Sequence, residues 1–126
     1  MTTFFNNTQP IYRQIISRVL LEIAKGELPP GGKISPVRDM AANFKVNPNT
    51  MQKSLSKLEE MGYLHTEGTS GRYVTTDTGL IESLKTTLPA EITANFIAEM
   101  TQSGIFKEDI AEYVKKFISE GGNANG

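Results

Sequence analysis

The sequence predicts a mainly α (α+β) fold: three N-terminal helices, one β-hairpin and a helical tail. Three observations predict it. Apolar residues recur at helical spacing from Ile11 to Ile23. Two proline-led starts, Ser35-Pro36 and Asn47-Pro48, open two short helices, with three residues between Phe44 and Pro48. Two β-prone runs, Tyr63–Glu67 and Arg72–Thr76, flank a Gly68-Thr69-Ser70-Gly71 turn.

In the first helix Ile11, Ile15, Val19 and Ile23, with Tyr12, Ile16 and Leu20, form one broad stripe. Pro10 suits its first turn, where a missing N–H costs nothing, and Gly26 stops it after Lys25. Leu28-Pro29-Pro30-Gly31-Gly32 fits neither helix nor central strand and reads as a rigid loop with a turn. Ser35 and Pro36 are expected as N-cap and first residue of the second helix, which carries Val37, Met40, Ala41 and Phe44. The third helix starts at Asn47-Pro48, turns Met51, Leu55 and Leu58 inward and is closed by Gly62. After the hairpin the apolar stripes are Leu80, Ile81 and Leu84; then Ile92, Phe96, Ile97 and Met100; then Ile110, Tyr113, Val114, Phe117 and Ile118. Pro89 should break or kink this run, and Ser103-Gly104 should separate the last two helices. Residues 1–9 and 121–126 read as flexible termini.

Composition removes whole classes of function. The chain has 126 residues, no cysteine and one histidine. No disulfide framework, thiol nucleophile or thiolate zinc site is open to it, and His-based metal sites and Ser/His/Asp triads lose their support. His65 reads as a surface or strand-packing residue; Glu59-Glu60 and Glu108-Asp109 read as capping or solvated acids rather than an acid–base pair. No enzyme activity, catalytic residue, metal or cofactor is expected. Met1–Asn6 lacks a basic stretch and an apolar core, and no apolar run would cross a bilayer, so a cytoplasmic protein without a membrane partner is expected. The net charge of −1 hides an asymmetry: residues 1–75 hold nine Lys/Arg against six acids, and residues 76–126 hold four against eight. A basic front half suits a polyanion.

Three helices followed by a hairpin is the order of a winged helix-turn-helix. Two short helices so closely joined allow the second to lie in a major groove while the first crosses the backbone. Ala41 falls where the two helices cross, Val46 plugs the turn, and Lys45 stands where a tight turn often uses Gly. Asn47, Asn49, Thr50, Gln52 and Lys53 give the third helix an amide-rich N-terminus with one cation, suited to base edges and phosphates. DNA contact is therefore expected of that set. A winged helix used for protein–protein contact, without specific DNA binding, is the alternative.

These residues resemble the GntR family of bacterial transcription regulators. The resemblance runs from Pro10 to about Thr75 and includes Pro10-Ile11-Tyr12, Gly26-Glu27-Leu28-Pro29-Pro30-Gly31, Ser35-Pro36-Val37-Arg38-Asp39-Met40-Ala41, Val46–Lys53, Leu58-Glu59 with Gly62-Tyr63-Leu64, and Gly71-Arg72-Tyr73-Val74. It implies a winged helix that binds a palindromic operator as a homodimer. By the same resemblance Ser35 and Arg38 lie in a DNA-contacting motif, with Arg38 reaching a phosphate or a guanine. Asn47–Thr50 begin the recognition helix, and Ser70-Gly71 form the wing tip. Two departures stand out. Ile34-Ser35-Pro36-Val37 exchanges serine and proline relative to the common order, and the wing lacks its usual basic residue, with Arg72 as the substitute.

About 50 residues follow Thr76. That is too short a tail for the large effector domains of most branches and resembles the YtrA branch, whose helical tail dimerises. The expected layout is a DNA-binding domain over 10–76 and a helical dimerisation tail over 77–120. Ile92, Phe96, Met100, Ile110, Val114 and Phe117 are the expected dimer interface, because two helices cannot bury such stripes alone. A ligand pocket is the other use of the same stripes, and the sequence names no small-molecule effector. The expected function is a sequence-specific transcriptional regulator, a repressor, with double-stranded operator DNA as partner.

Overall fold

The protein is described by a computed structural model over residues 9–121. In chain order it forms α1 (Ile11–Lys25), α2 (Val37–Phe44), α3 (Pro48–Glu60), β1 (Leu64–Glu67), β2 (Gly71–Val74), α4 (Thr78–Gln102) and α5 (Lys107–Ser119). This is the mainly α fold with a small wing that the sequence predicts. Its contacts divide it into two compact units, the first ending at Leu88 and the second beginning at Pro89. Residues 1–8 and 122–126, which carry most of the two expected flexible termini, lie outside the described residues.

In the first unit the helical stripes meet. Ile15, Val19 and Ile23 of α1 close on Met51, Leu55 and Leu58 of α3, all but shut off from water, and Met40, Ala41 and Phe44 of α2 complete the core. Burying each large aliphatic side chain contributes about 1.5–3 kcal/mol, so this core is what orients α3. Ser54 is the buried polar residue among them, and its Oγ lies 2.9 Å from the Thr50 carbonyl and 3.3 Å from that of Tyr12. A small, satisfied side chain there brings α1 and α3 close together.

The antiparallel hairpin pairs Leu64 with Val74 and Glu67 with Gly71. Sequence reasoning gives Lys33 and Ile34 no element. In the structure they run alongside β2: Ile34 N–H donates to the Arg72 carbonyl at 3.0 Å, Val74 N–H to the Gly32 carbonyl at 2.9 Å, and Lys33 bridges Tyr73. The turn before it has Pro30 and Gly31 at its centre, closed by Gly32 N–H to the Pro29 carbonyl, with Gly31 at φ 74.

Three expectations need correction. Pro10 is the N-cap of α1, at φ −55 and ψ 144, rather than a residue of its first turn, and the helix begins at Ile11. Ser35 is not the N-cap of α2; Pro36 occupies that position at φ −58 and ψ 153, without a side-chain cap bond, and the helix begins at Val37. The pairing of Ile34 with β2 keeps the chain extended through Pro36, because proline fixes φ but leaves ψ free. Nor does the chain leave the helical state at Pro89, which lies inside α4. Its ring removes the one amide that would have bonded the Lys85 carbonyl, and both residues are exposed, so water can take that place.

The first turns of α4 belong to the first unit. Asp77 Oδ1 accepts the Leu80 N–H at 3.0 Å, and Leu84 and Leu88 are buried in the core. In the second unit the remainder of α4 and all of α5 line an apolar groove. Ile110 is buried there, but Ile92, Phe96, Tyr113, Phe117 and Ile118 stay exposed. Among the described residues no helix is long and apolar enough to cross a membrane.

Candidate nucleic-acid interface

The interface begins with how α2 hands over to α3. Val46 N–H donates to the Ala41 carbonyl and Lys45 N–H to that of Ala42, the paired bonds that end a helix through a left-handed residue. That residue is Lys45, at φ 58 and ψ 47, the one non-glycine residue with positive φ among those described. Asn47 then caps α3, its side-chain oxygen accepting the Asn49 N–H at 2.7 Å, with Pro48 following in the first turn. Ala41, with 2% of its surface exposed, lies where the short helices pack. Together these features turn the positive end of the α3 dipole outward.

Beyond the cap the side chains divide by face. Met51, Ser54, Leu55 and Leu58 are buried, whereas Asn49, Gln52 and Lys53 are exposed and Thr50 is half-buried. Gln52 reaches along the helix to Ser56 Oγ at 3.0 Å. The Lys53 ammonium sits 4.1 Å from the centre of the Tyr12 ring, which holds a long, mobile cation in place. Arg13, through a hydrogen bond and its charge, lowers the Tyr12 hydroxyl below its usual range, and the charges of Lys53 and Lys57 act in the same direction. Arg13 of α1 and Lys53 and Lys57 of α3 thus place positive charge around Tyr12. Nothing in the sequence announced this contact, although Tyr12 and Lys53 each lie on a predicted helix.

Arg38 is exposed in the first turn of α2, and Ser35 is exposed just before it. At the wing, Ser70 N–H and Oγ both donate to the Glu67 carbonyl, and Tyr73 OH lies 3.1 Å from Ser70 Oγ, so the turn is held by its own side chains. Gly71, at φ 137, is crowded by Lys33, whose Cε would stand 2.8 Å from an added Cβ. Lys33 is a cation at the wing that the sequence pattern passes over. His65 stacks on Tyr73 with ring centroids 6.0 Å apart and bonds Glu67 at 2.8 Å, a strand-packing role.

Arg72 is placed differently from the other sequence-derived residues. Its Nε donates to Glu59 Oε2 at 2.8 Å, while Thr66 Oγ1 donates to Glu59 Oε1 at 2.9 Å. Burial opposes ionisation of Glu59, but these hydrogen bonds and the Arg72 charge outweigh it and hold the carboxyl below its ordinary range. No cluster of three His, Asp or Glu that could hold a metal ion occurs among the described residues.

With this geometry in place, comparison with known proteins decides the family. The pattern described as bacterial regulatory proteins, gntR family, matches residues 11–74. The chain belongs to the GntR family. The match begins with α1 and ends with the wing, the region that carries the interface just described. Among relatives, this GntR protein is 35% identical over 122 residues to the HTH-type transcriptional regulator YhcF of Bacillus subtilis, covering 97% of this chain and 100% of the relative. It is 32% identical over 123 residues to the HTH-type transcriptional repressor YtrA of the same organism, covering 94% of each. A solved structure of a GntR family transcriptional regulator from Listeria monocytogenes superposes with a TM-score of 0.68 at 39% identity, covering 89% of this chain and 98% of that one. These likenesses run the length of the chain and place it in the YtrA-like branch. It is a DNA-binding transcription regulator, a non-enzymatic role.

Proposed function

We propose that this GntR protein is a repressor that binds a palindromic operator as a homodimer. The observation that carries the reading is the exposed, capped N-terminus of α3, with Asn49, Gln52 and Lys53 facing water above a fully buried face. Amides match adenine edges and the cation matches a phosphate. In this reading Ser35, Arg38, Asn47, Asn49, Thr50, Gln52, Lys53, Ser70 and Gly71 form the DNA-contacting set. Repression is supported by the likeness to YtrA, which is named a repressor.

The homodimer rests on the second unit. Phe96, 38% exposed, and Phe117, 48% exposed, line an apolar groove with Ile92, Met100, Ile110 and Val114. A two-fold interface would bury both copies of each and fix the spacing of the two α3 helices. One winged helix reads too few base pairs to stand out from a genome of competitors. On this division residues 10–76 read DNA and residues 77–120 make the dimer, with the opening turns of α4 fastened to the reader. The test pairs sedimentation with mobility-shift titration on a palindromic duplex. The parent chain sediments as a dimer and retards the duplex; Phe117→Asp sediments as a monomer and keeps only weak binding. A parent chain that is monomeric at binding concentrations would contradict the reading.

A further inference from the structure

The expected role of Arg72, the wing's substitute cation in the DNA-contacting set, fits poorly with where the residue sits. Its side chain is 17% exposed and that of Glu59 is 27% exposed, far less than in the other ion pairs of the described residues, such as Lys57 with Glu60 at 52% and 69%. Both oxygens of Glu59 are used, one by Arg72 on β2 and one by Thr66 on β1. The backbone of Arg72 is used as well, its carbonyl accepting from Ile34 two residues before the cap of α2. Residue 72 therefore joins the C-terminal turn of α3, both strands of the wing and the lead-in to α2. The wing and the lead-in to α2 carry proposed DNA contacts, and α3 carries the others at its opposite end.

We propose that Arg72 and Glu59 form a positioning pair that sets the wing against the recognition helix, and that Arg72 is not itself a phosphate contact. The chemistry favours this division. Guanidinium and carboxylate make a directional, charge-assisted bond, and partial removal from water strengthens it. A two-stranded hairpin is marginally stable alone and takes its orientation from what it packs against. Arg72 commits its Nε to Glu59 and keeps most of its side chain from water, an arrangement suited to holding the wing rather than to reaching out to a backbone phosphate. The inference rests on the proposed DNA-binding reading, and the two can fail separately.

The two roles for Arg72 predict opposite signs at Glu59. If Arg72 contacted phosphate, Glu59→Gln would remove a nearby anion and free the guanidinium, so operator affinity would rise. If the pair positions the wing, Glu59→Gln loosens it and affinity falls, by about tenfold for a coupled pair of this kind. The experiment measures operator affinity of the full-length protein across a salt series for Glu59→Gln, Arg72→Gln and the charge-swapped Glu59→Arg/Arg72→Glu double variant. Circular dichroism confirms that each is folded at the assay temperature. The expected result is a similar loss for both single variants, an unchanged dependence of log affinity on log salt, and partial recovery in the swap. A rise in affinity for Glu59→Gln would overturn the proposal. So would a salt slope reduced by about 0.9 for Arg72→Gln, the signature of one lost phosphate contact. Unchanged affinity in both single variants would overturn it too. A parent protein that binds no duplex at all would instead overturn the DNA-binding reading.

Discussion

Lys45 offers a test of how the helix-turn-helix is built. Helices α2, α3 and α4 end with the same paired hydrogen bonds, through Lys45, Gly62 and Gly104, whose φ values are 58, 90 and 99. Two of the three use glycine, which reaches this region freely; the third places a side chain there at a cost of roughly 1–2 kcal/mol. Replacing Lys45 with glycine removes that strain but frees the unfolded backbone, which costs about 0.5–1 kcal/mol. The expected net effect of Lys45→Gly is a stabilisation of about 0.5–1 kcal/mol, seen as a higher urea midpoint with an unchanged slope. Lys45→Ala controls for the charge and should stay within about 0.5 kcal/mol of the parent. Lys45→Val, with a branched carbon in the strained region, should cost more than about 1 kcal/mol. A destabilised Lys45→Gly, or a harmless Lys45→Val, would refute the reasoning.

The remaining predictions concern contacts and charge. Arg38→Ala should weaken operator binding by about 1–3 kcal/mol while the thermal melt stays put, since the side chain is exposed; unchanged affinity in titrations would remove Arg38 from the site. Asn49→Ala and Gln52→Ala should relax preference at particular base pairs, whereas Lys53→Ala should weaken all duplexes alike and reduce the salt slope by about 0.9. Uniform loss from the amide variants, measured on a panel of single-base operator changes, would reassign them to the backbone. Burial, with help from the Glu27 charge, raises the carboxyl of Glu22 above its ordinary range. Its stabilising contribution is therefore full below the unfolded pKa and lost as pH rises through the folded one. Glu22→Gln should melt higher than the parent at pH 7 and lose that advantage below about pH 4; an equal gap at both pH values would contradict the assignment.

Much of the reader was legible in the chain because its signals are local. Pro10, Asn47-Pro48, Gly26 and Gly62 mark helix ends by backbone chemistry that needs no partner, and the stripe through Met51, Leu55 and Leu58 names the buried face of α3. Signals that depend on distant residues were not legible. Ser35-Pro36 reads as a cap and first turn, but the pairing of Ile34 with Arg72 draws the chain straight for two residues more. Pro89 reads as a break or a kink, and the helix runs on through it because the carbonyl it orphans lies where water can reach it. Tyr12 under Lys53 and Arg72 against Glu59 are separated by 41 and 13 positions in sequence, and no periodicity connects them. Arg72 shows the consequence most clearly: the sequence marks a wing cation, and its ion partner changes what that cation can do.

Selection from a random pool of duplexes by the purified full-length protein tests the central claim most directly. The account predicts enrichment of a two-fold palindrome whose half-sites lie about one helical turn apart or a multiple of it, lost when Asn49 and Gln52 are both changed to alanine. A pool that returns no enriched sequence, or an enriched palindrome that the alanine double variant selects equally well, would contradict it.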